Sequence, residues 1–263
     1  MTPAFAGSSH PSSLIPHPPS LITRHPSLMK NDDHQVGRIL TRREALAVLG
    51  GAAMLASGVP LRSGIAQMLP SCVVTPEQME GPFFTDVRLN RSDIRSDPAD
   101  KSVKEGVPLV LTLRVSAVGN AGCTPLADAT VDVWHCDAVG VYSDSGGNTA
   151  GKKFLRGHQV TDANGSVRFT TIYPGWYPDR AVHIHFKVRI LTGPALGNEF
   201  TSQLYFDEAV TDRVLARAPY PARGQRTRNS DDGLYRRGGS RLTLALRESG
   251  GGYAGEYHIG MKL

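Results

Sequence analysis

Tyr173-Pro174-Gly175-Trp176-Tyr177-Pro178-Asp179-Arg180-Ala181-Val182-His183-Ile184-His185-Phe186-Lys187-Val188 is the stretch whose reading decides the fold. In its second half His183 and His185 fall on one side, and Val182, Ile184, Phe186 and Val188 on the other. A side-chain period of two belongs to a β-strand, so both imidazoles project from one face of a rigid strand and the apolar stripe from the opposite face. Two neutral imidazoles side by side make half of a metal site, or a hydrogen-bonded pair of strand histidines. Upstream, Pro174-Gly175 reads as a tight turn that delivers Tyr177 and Arg180 just ahead of them.

The same kind of segment recurs along the chain. Pro108–Val118 alternates Leu and Val with polar residues, and Thr130–Cys136 is β-branched and aromatic. Arg156–Thr161 and Ser166–Tyr173 flank Asp162-Ala163-Asn164-Gly165, whose Asn-Gly pair predicts a hairpin. Val182–Ile190, Phe200–Phe206, Arg241–Leu246 and Glu256–Lys262 complete the strands. Only Glu208–Arg217 has a helical period, with Val210, Val214 and Leu215 on one face. Strands punctuated by turns predict an all-β chain: a single-domain β-sandwich of Ig-like character with few short helices.

The motif P-G-W-Y-P-x-R-x-x-H-I-H at 174–185 resembles the iron-site signature of the intradiol ring-cleavage dioxygenases, the catechol and protocatechuate family. The resemblance implies that Tyr177, His183 and His185 are metal ligands. It also implies that Arg180 is an active-site arginine. A second segment, Asp132-Val133-Trp134-His135-Cys136-Asp137-Ala138-Val139-Gly140-Val141-Tyr142, resembles the family's earlier ligand loop and places Tyr142 in the fourth position. Thr75-Pro76-Glu77-Gln78-Met79-Glu80-Gly81-Pro82 resembles the family's opening segment, and Gln203 resembles its polar residue beside the metal site, an exposed strand glutamine being the plainer alternative.

The implied cofactor is Fe(3+), and the implied partners are a small aromatic diol and O2. The implied reaction cleaves the ring between the two hydroxylated carbons to a muconate-type diacid. The donor types suit that ion, because two tyrosinates are hard anionic ligands that offset two of its three charges. A phenol with an ordinary pKa near ~10 needs such a field to lose its proton. Two departures leave the particular catechol open. Nothing between Gln67 and Val107 is long enough for the helical dimerisation domain of the catechol branch, and the interval from Tyr177 to His183 is shorter than in that branch. A homo-oligomer remains among the expectations. The rival from another class is an exported binding module with a structural Zn or Cu at His183 and His185. A zinc hydrolase is a third reading, but no Glu near the pair is placed as its base.

Residues 1–66 read as a leader. Residues 1–40 are rich in Pro, Ser and His without hydrophobic period and predict disorder. Arg42-Arg43 before the uncharged run Ala45–Val59 resembles a twin-arginine export signal, which implies the Tat machinery as a partner and a periplasmic or secreted destination. The run is too short and rich in Gly and Ala for a membrane span, so the mature chain is expected off the membrane. Gly64-Ile65-Ala66 offers a cleavage site, giving a catalytic domain over 67–263, and Met29 is an alternative start.

The whole chain holds 29 Lys and Arg against 24 Asp and Glu, a formal +5. Six of the basic and three of the acidic residues lie in 1–66, which leaves a formal +2 for the remainder. That excess is too small to argue for nucleic acid. Of the three cysteines, Cys136 reads as a buried small hydrophobe, and Cys72 with Cys123 as a bridge permitted by export.

Overall fold

The computed structural model of the chain describes residues 73–222 and 224–263. The leader expected at 1–66, its twin arginines, the boundary at 67 and Cys72 lie outside the described residues. The strands are β1 (Pro108–Gly119), β2 (Gly122–Pro125), β3 (Thr130–Trp134), β4 (Arg156–Val160) and β5 (Ser166–Ile172). They continue as β6 (His183–Arg189), β7 (Glu199–Tyr205), β8 (Ala245–Ser249) and β9 (Gly252–Met261). Among the described residues one α-helix, α1 (Glu208–Leu215), accompanies the strands, with Asp207 accepting the Val210 N–H as its N-cap.

Two sheets form the sandwich. One runs β2-β1-β9-β8, with β5 also paired to β1, and the other runs β4-β3-β6-β7. β1 is the spine of the first sheet. It pairs in parallel with β9 and antiparallel with β5 and then β2. Its alternation buries Leu109, Leu111, Leu113 and Val115 completely. The facing stripe comes from Val131 and Val133 of β3 and Ile184, Phe186 and Val188 of β6, all in the same core. Burying a side chain of this size stabilises by about 1.5–3 kcal/mol, so the two stripes hold the sheets together. The alternation in β6 therefore points His183 and His185 out of the second sheet, away from that core.

Three details differ from the sequence reading. The turn at Asp162–Gly165 forms, with Asp162 Oδ1 accepting the Asn164 and Ser166 N–H groups, but it joins no hairpin. β4 pairs with β3, and β5 pairs with β1 in the other sheet. The cause is contact with β1: Gly165 accepts the Val115 N–H at 2.8 Å, and a Cβ on Gly165 would overlap the Val115 carbonyl. The strand expected at Arg241–Leu246 is displaced to Ala245–Ser249. Leu242 and Leu244 are buried, and the Leu244 N–H donates to the Tyr205 carbonyl at 2.8 Å, which ties 242–244 to the second sheet first. β2 is only four largely exposed residues and carries no hydrophobic period to find.

Candidate functional site

The register of β6 chooses the neighbours of its imidazoles. His185 lies opposite Trp134 of β3 and Gln203 of β7, and His183 lies opposite Tyr205. The Trp134 ring stacks on His185 with centroids 4.9 Å apart and planes within 7°. Tyr177 arrives from the connection between β5 and β6. The turn there falls at Pro178-Asp179, with Asp179 at φ 69°, and not at Pro174-Gly175 as the dipeptide suggests. Gly175 has a different duty. Its N–H donates to the Asp137 carbonyl at 3.1 Å, and a Cβ on it would overlap the Ala138 carbonyl. The missing side chain lets the Tyr177 segment lie directly on the loop that carries Tyr142.

Tyr142 is buried in the β3–β4 connection, its ring stacked on Phe83 at 4.3 Å. The Tyr142 and Tyr177 rings lie 5.8 Å apart, and Tyr142 and His185 lie 6.3 Å apart. Three donor atoms then meet. His183 Nε2 is 3.1 Å from Tyr177 Oη and 3.0 Å from His185 Nε2. Nδ1 of His183 donates to the Ala181 carbonyl at 2.6 Å, so Nε2 keeps its lone pair for that meeting point. The Tyr142 hydroxyl and His185 Nδ1 are buried without a hydrogen bond among the described residues. Tyr142, Tyr177, His183 and His185 are thus brought together.

Burial sets the protonation states. It pushes His183 down to about 3, helped by the nearby Arg180 charge, and pushes His185 well below the ordinary imidazole range. Both rings are neutral at physiological pH, as ligation requires. Burial drives the Tyr142 phenol well above its usual value, with Cys136 and Tyr177 adding to the rise. Tyr177 is raised by burial too, against the pull of Arg180. One buried and one half-buried phenol, both with raised pKa values, beside two imidazole lone pairs suit a highly charged cation. Among the described residues no group of three or more His, Cys, Asp or Glu is placed to hold a metal, and the other donors beside the two imidazoles are the phenols of Tyr142 and Tyr177.

Arg180 stands beside the imidazoles and is largely enclosed. Its Nε donates to Asp232 Oδ2 at 2.9 Å and its Nη2 to Gln203 Oε1 at 2.5 Å. Burial disfavours its charge, but Asp232, Tyr177 and Tyr205 outweigh that and raise its pKa, so it remains a cation. Gln203 is fully buried, which removes the exposed-strand alternative, and its Nε2 donates to the Met79 carbonyl at 2.9 Å. Through that bond, and through Tyr205 donating to Gln78 Oε1 at 2.8 Å, the opening segment is tied across β7. A Cβ on Gly81 would lie 3.5 Å from His185 Cε1, so this segment passes directly over the histidine.

Several contributors were not visible in the sequence. Asp232 sits in a polar loop beside a second acid, Asp231, and nothing local marks it. Arg156 is 1% exposed and donates to the Ser143 hydroxyl and carbonyl, at 2.7 and 2.6 Å, behind Tyr142. Trp134 carries no local signal of its own, and the β3–β6 register is what places it on His185. The arginine-rich 220–240 loop does not reach the site through Arg226 or Arg228, which pair with Glu208 and Asp212 around α1. Arg223 lies outside the described residues.

A family model described as Dioxygenase matches residues 79–226, more than half of the chain and a span that includes the positions of the six expected site residues. The protocatechuate 3,4-dioxygenase beta chain of Burkholderia cepacia is 32% identical over 148 residues, covering 46% of this chain and 62% of that one. Catechol 1,2-dioxygenase of Acinetobacter baylyi is 32% identical over 109 residues, 39% of this chain and 32% of that one. The chain therefore spans less than two thirds of either curated relative. Among solved structures, an intradiol ring-cleavage dioxygenase from Tetranychus urticae superimposes with a TM-score of 0.64 at 29% identity, covering 73% of this chain and 95% of that one. The dioxygenase domain of a carbohydrate-binding fusion from a Streptomyces species gives 0.54 at 30% identity, covering 73% and 99%. With the sandwich, the matched segment and these likenesses agreeing, the chain belongs to the intradiol ring-cleavage dioxygenase family.

Proposed function

We propose that this chain holds ferric iron through Tyr142, Tyr177, His183 and His185. With it, the chain would cleave a catechol-type diol with O2 between the hydroxylated carbons, giving a muconate-type diacid. The observation that carries the reading is the meeting of Tyr177 Oη, His183 Nε2 and His185 Nε2 beside the buried, unbonded Tyr142 hydroxyl. The donor set supports iron over a structural zinc or copper, because a structural zinc site is closed by Cys, His or carboxylate ligands, and among the described residues no three of these are grouped to hold a metal. When bound, ferric iron supplies a Lewis-acidic centre that takes the diol as an anion and leaves its ring open to O2.

The chain's own groups supply the rest. His183 and His185 stay neutral because burial penalises their charged forms, and one rigid strand fixes their spacing. Tyr177 is half-buried where Tyr142 is fully enclosed, so Tyr177, if held as a tyrosinate by bound iron, would be the phenolic oxygen open to take a proton from an incoming diol. Arg180 sets a permanent positive charge beside the ring position, where it favours the negative density that develops during cleavage. Phe83 and Phe84 pack with Trp134 around Tyr142 and keep water from that side.

Export by the twin-arginine route belongs to the same proposal. It is supported by Cys123 being disulfide-bonded, since disulfides persist in oxidising compartments. The test of the reaction is oxygen uptake by iron-loaded protein with catechol, hydroxyquinol or protocatechuate, with labelled O2 and identification of the product. A diacid carrying both labelled atoms is expected. No uptake with any of these diols, or opening outside the two hydroxylated carbons, would overturn the proposal.

A further inference from the structure

We infer that Asp232, outside the matched segment and 52 residues from Arg180, is a positioning residue that fixes the guanidinium of Arg180 over the site. The inference rests on the function proposed above and adds a group to it.

Asp232 is 1% exposed. A carboxylate so deeply buried is costly unless both oxygens are satisfied, and here they are. Oδ2 accepts from Arg180 Nε and from the Ala181 N–H, each at 2.9 Å. Oδ1 accepts from the Leu234 N–H at 2.7 Å and the Tyr235 N–H at 3.2 Å. The loop bonds hold the carboxylate still, and the carboxylate in turn grips Arg180 at two points, the side chain and the following peptide. That second grip reaches the ligand strand, because the Ala181 carbonyl accepts the Nδ1 proton of His183.

The remaining guanidinium bonds come from β7. Nη2 donates to Gln203 Oε1 and lies 3.5 Å from the Tyr205 hydroxyl. A planar guanidinium held at Nε and at one Nη has its plane fixed. Nη1 makes no hydrogen bond among the described residues, which leaves that edge for a ligand. A charge that acts on a developing anion does so only from a fixed place, and loss of Asp232 would release it to other rotamers.

The test combines Asp232→Asn, Arg180→Ala and the double variant, each with its iron content and thermal midpoint recorded. Asp232→Asn keeps the shape of the side chain and loses the charge. In metal-free protein, Asp232→Asn is expected to lose the slow solvent exchange of the Arg180 Nε–H seen by NMR. In iron-loaded protein it is expected to lower kcat by roughly ten- to a hundredfold with little change in KM, the scale of a misplaced group. Asp232→Asn should cost nothing further once Arg180 is already alanine, because the two act as one unit. An equal loss of kcat with and without Arg180, or an unchanged Nε–H in Asp232→Asn, would overturn the inference. Wild-type protein without iron or turnover would instead fault the proposed function, and the NMR comparison would still decide the role of Asp232.

Discussion

At the scale of the residue, four side chains from two connections and one strand meet, and each has a separable duty. His183 and His185 come from one rigid strand, so alanine at either should release most of the iron, by metal analysis after dialysis. Tyr142→Phe and Tyr177→Phe should each impair iron binding or turnover. Full iron occupancy and activity in both histidine variants would remove the site assignment. Arg180→Ala should keep its iron and still bind catechols, yet lose on the order of a hundredfold in single-turnover oxygen consumption, the usual scale for one preorganised donor. A wild-type rate would take Arg180 out of the reaction. The residues of the candidate site were legible because they cluster within short motifs: twelve positions carry Tyr177, Arg180, His183 and His185. Asp232 was not, because its meaning comes only from a fold that returns a distant loop to the same corner.

At the scale of the element, the strand alternation was readable and the pairing was not. A period of two says which face a side chain takes, and β1 and β6 follow it. It does not say which sheet a strand joins. The Asn164-Gly165 turn leads from one sheet into the other because Gly165 packs on β1, a long-range contact that no local pattern encodes. Gly175 is a similar case: it reads as a turn residue and serves as a point of close approach. Gly175→Ala should force the Tyr142 loop and the Tyr177 segment apart, destabilising the fold by about 1–3 kcal/mol and weakening iron retention. Unchanged urea unfolding and iron affinity would show that the two segments are not held together there.

The connections also carry a pH dependence. His135 is buried between the Cys136 carbonyl and the Thr171 hydroxyl, and burial lowers its pKa to about 4. Its folded pKa lies below the ordinary value of about 6.5, so its contribution to stability is present above that pH and is lost as pH falls toward 4. Urea unfolding of the wild type should therefore weaken across that window. In His135→Gln the loss of stability across that window should be smaller, by an amount of order 3 kcal/mol at most. Parallel pH profiles for the two proteins would contradict this assignment.

At the scale of the whole molecule, the sandwich buries one face of each sheet and leaves the outer face of β3, β6 and β7 to hold the site. The opening segment crosses that face, bonded through Gln78, Met79 and the ring of Phe83, so chemistry and folding share the same residues. The proposed export is tested on the full chain. Replacing Arg42 and Arg43 together with Lys should retain the protein in the cytoplasm, folded and iron-loaded, as judged by fractionation. Unchanged delivery to the periplasm would sink the twin-arginine reading. The central claim is that two phenols and two imidazoles hold ferric iron. The most direct measurement is the visible spectrum of the purified full chain beside its metal content. One iron per chain and a wine-red tyrosinate-to-iron absorption, weakened in both Tyr142→Phe and Tyr177→Phe, is the expected result. A colourless protein carrying zinc, copper or no metal after ferric iron is supplied would contradict it.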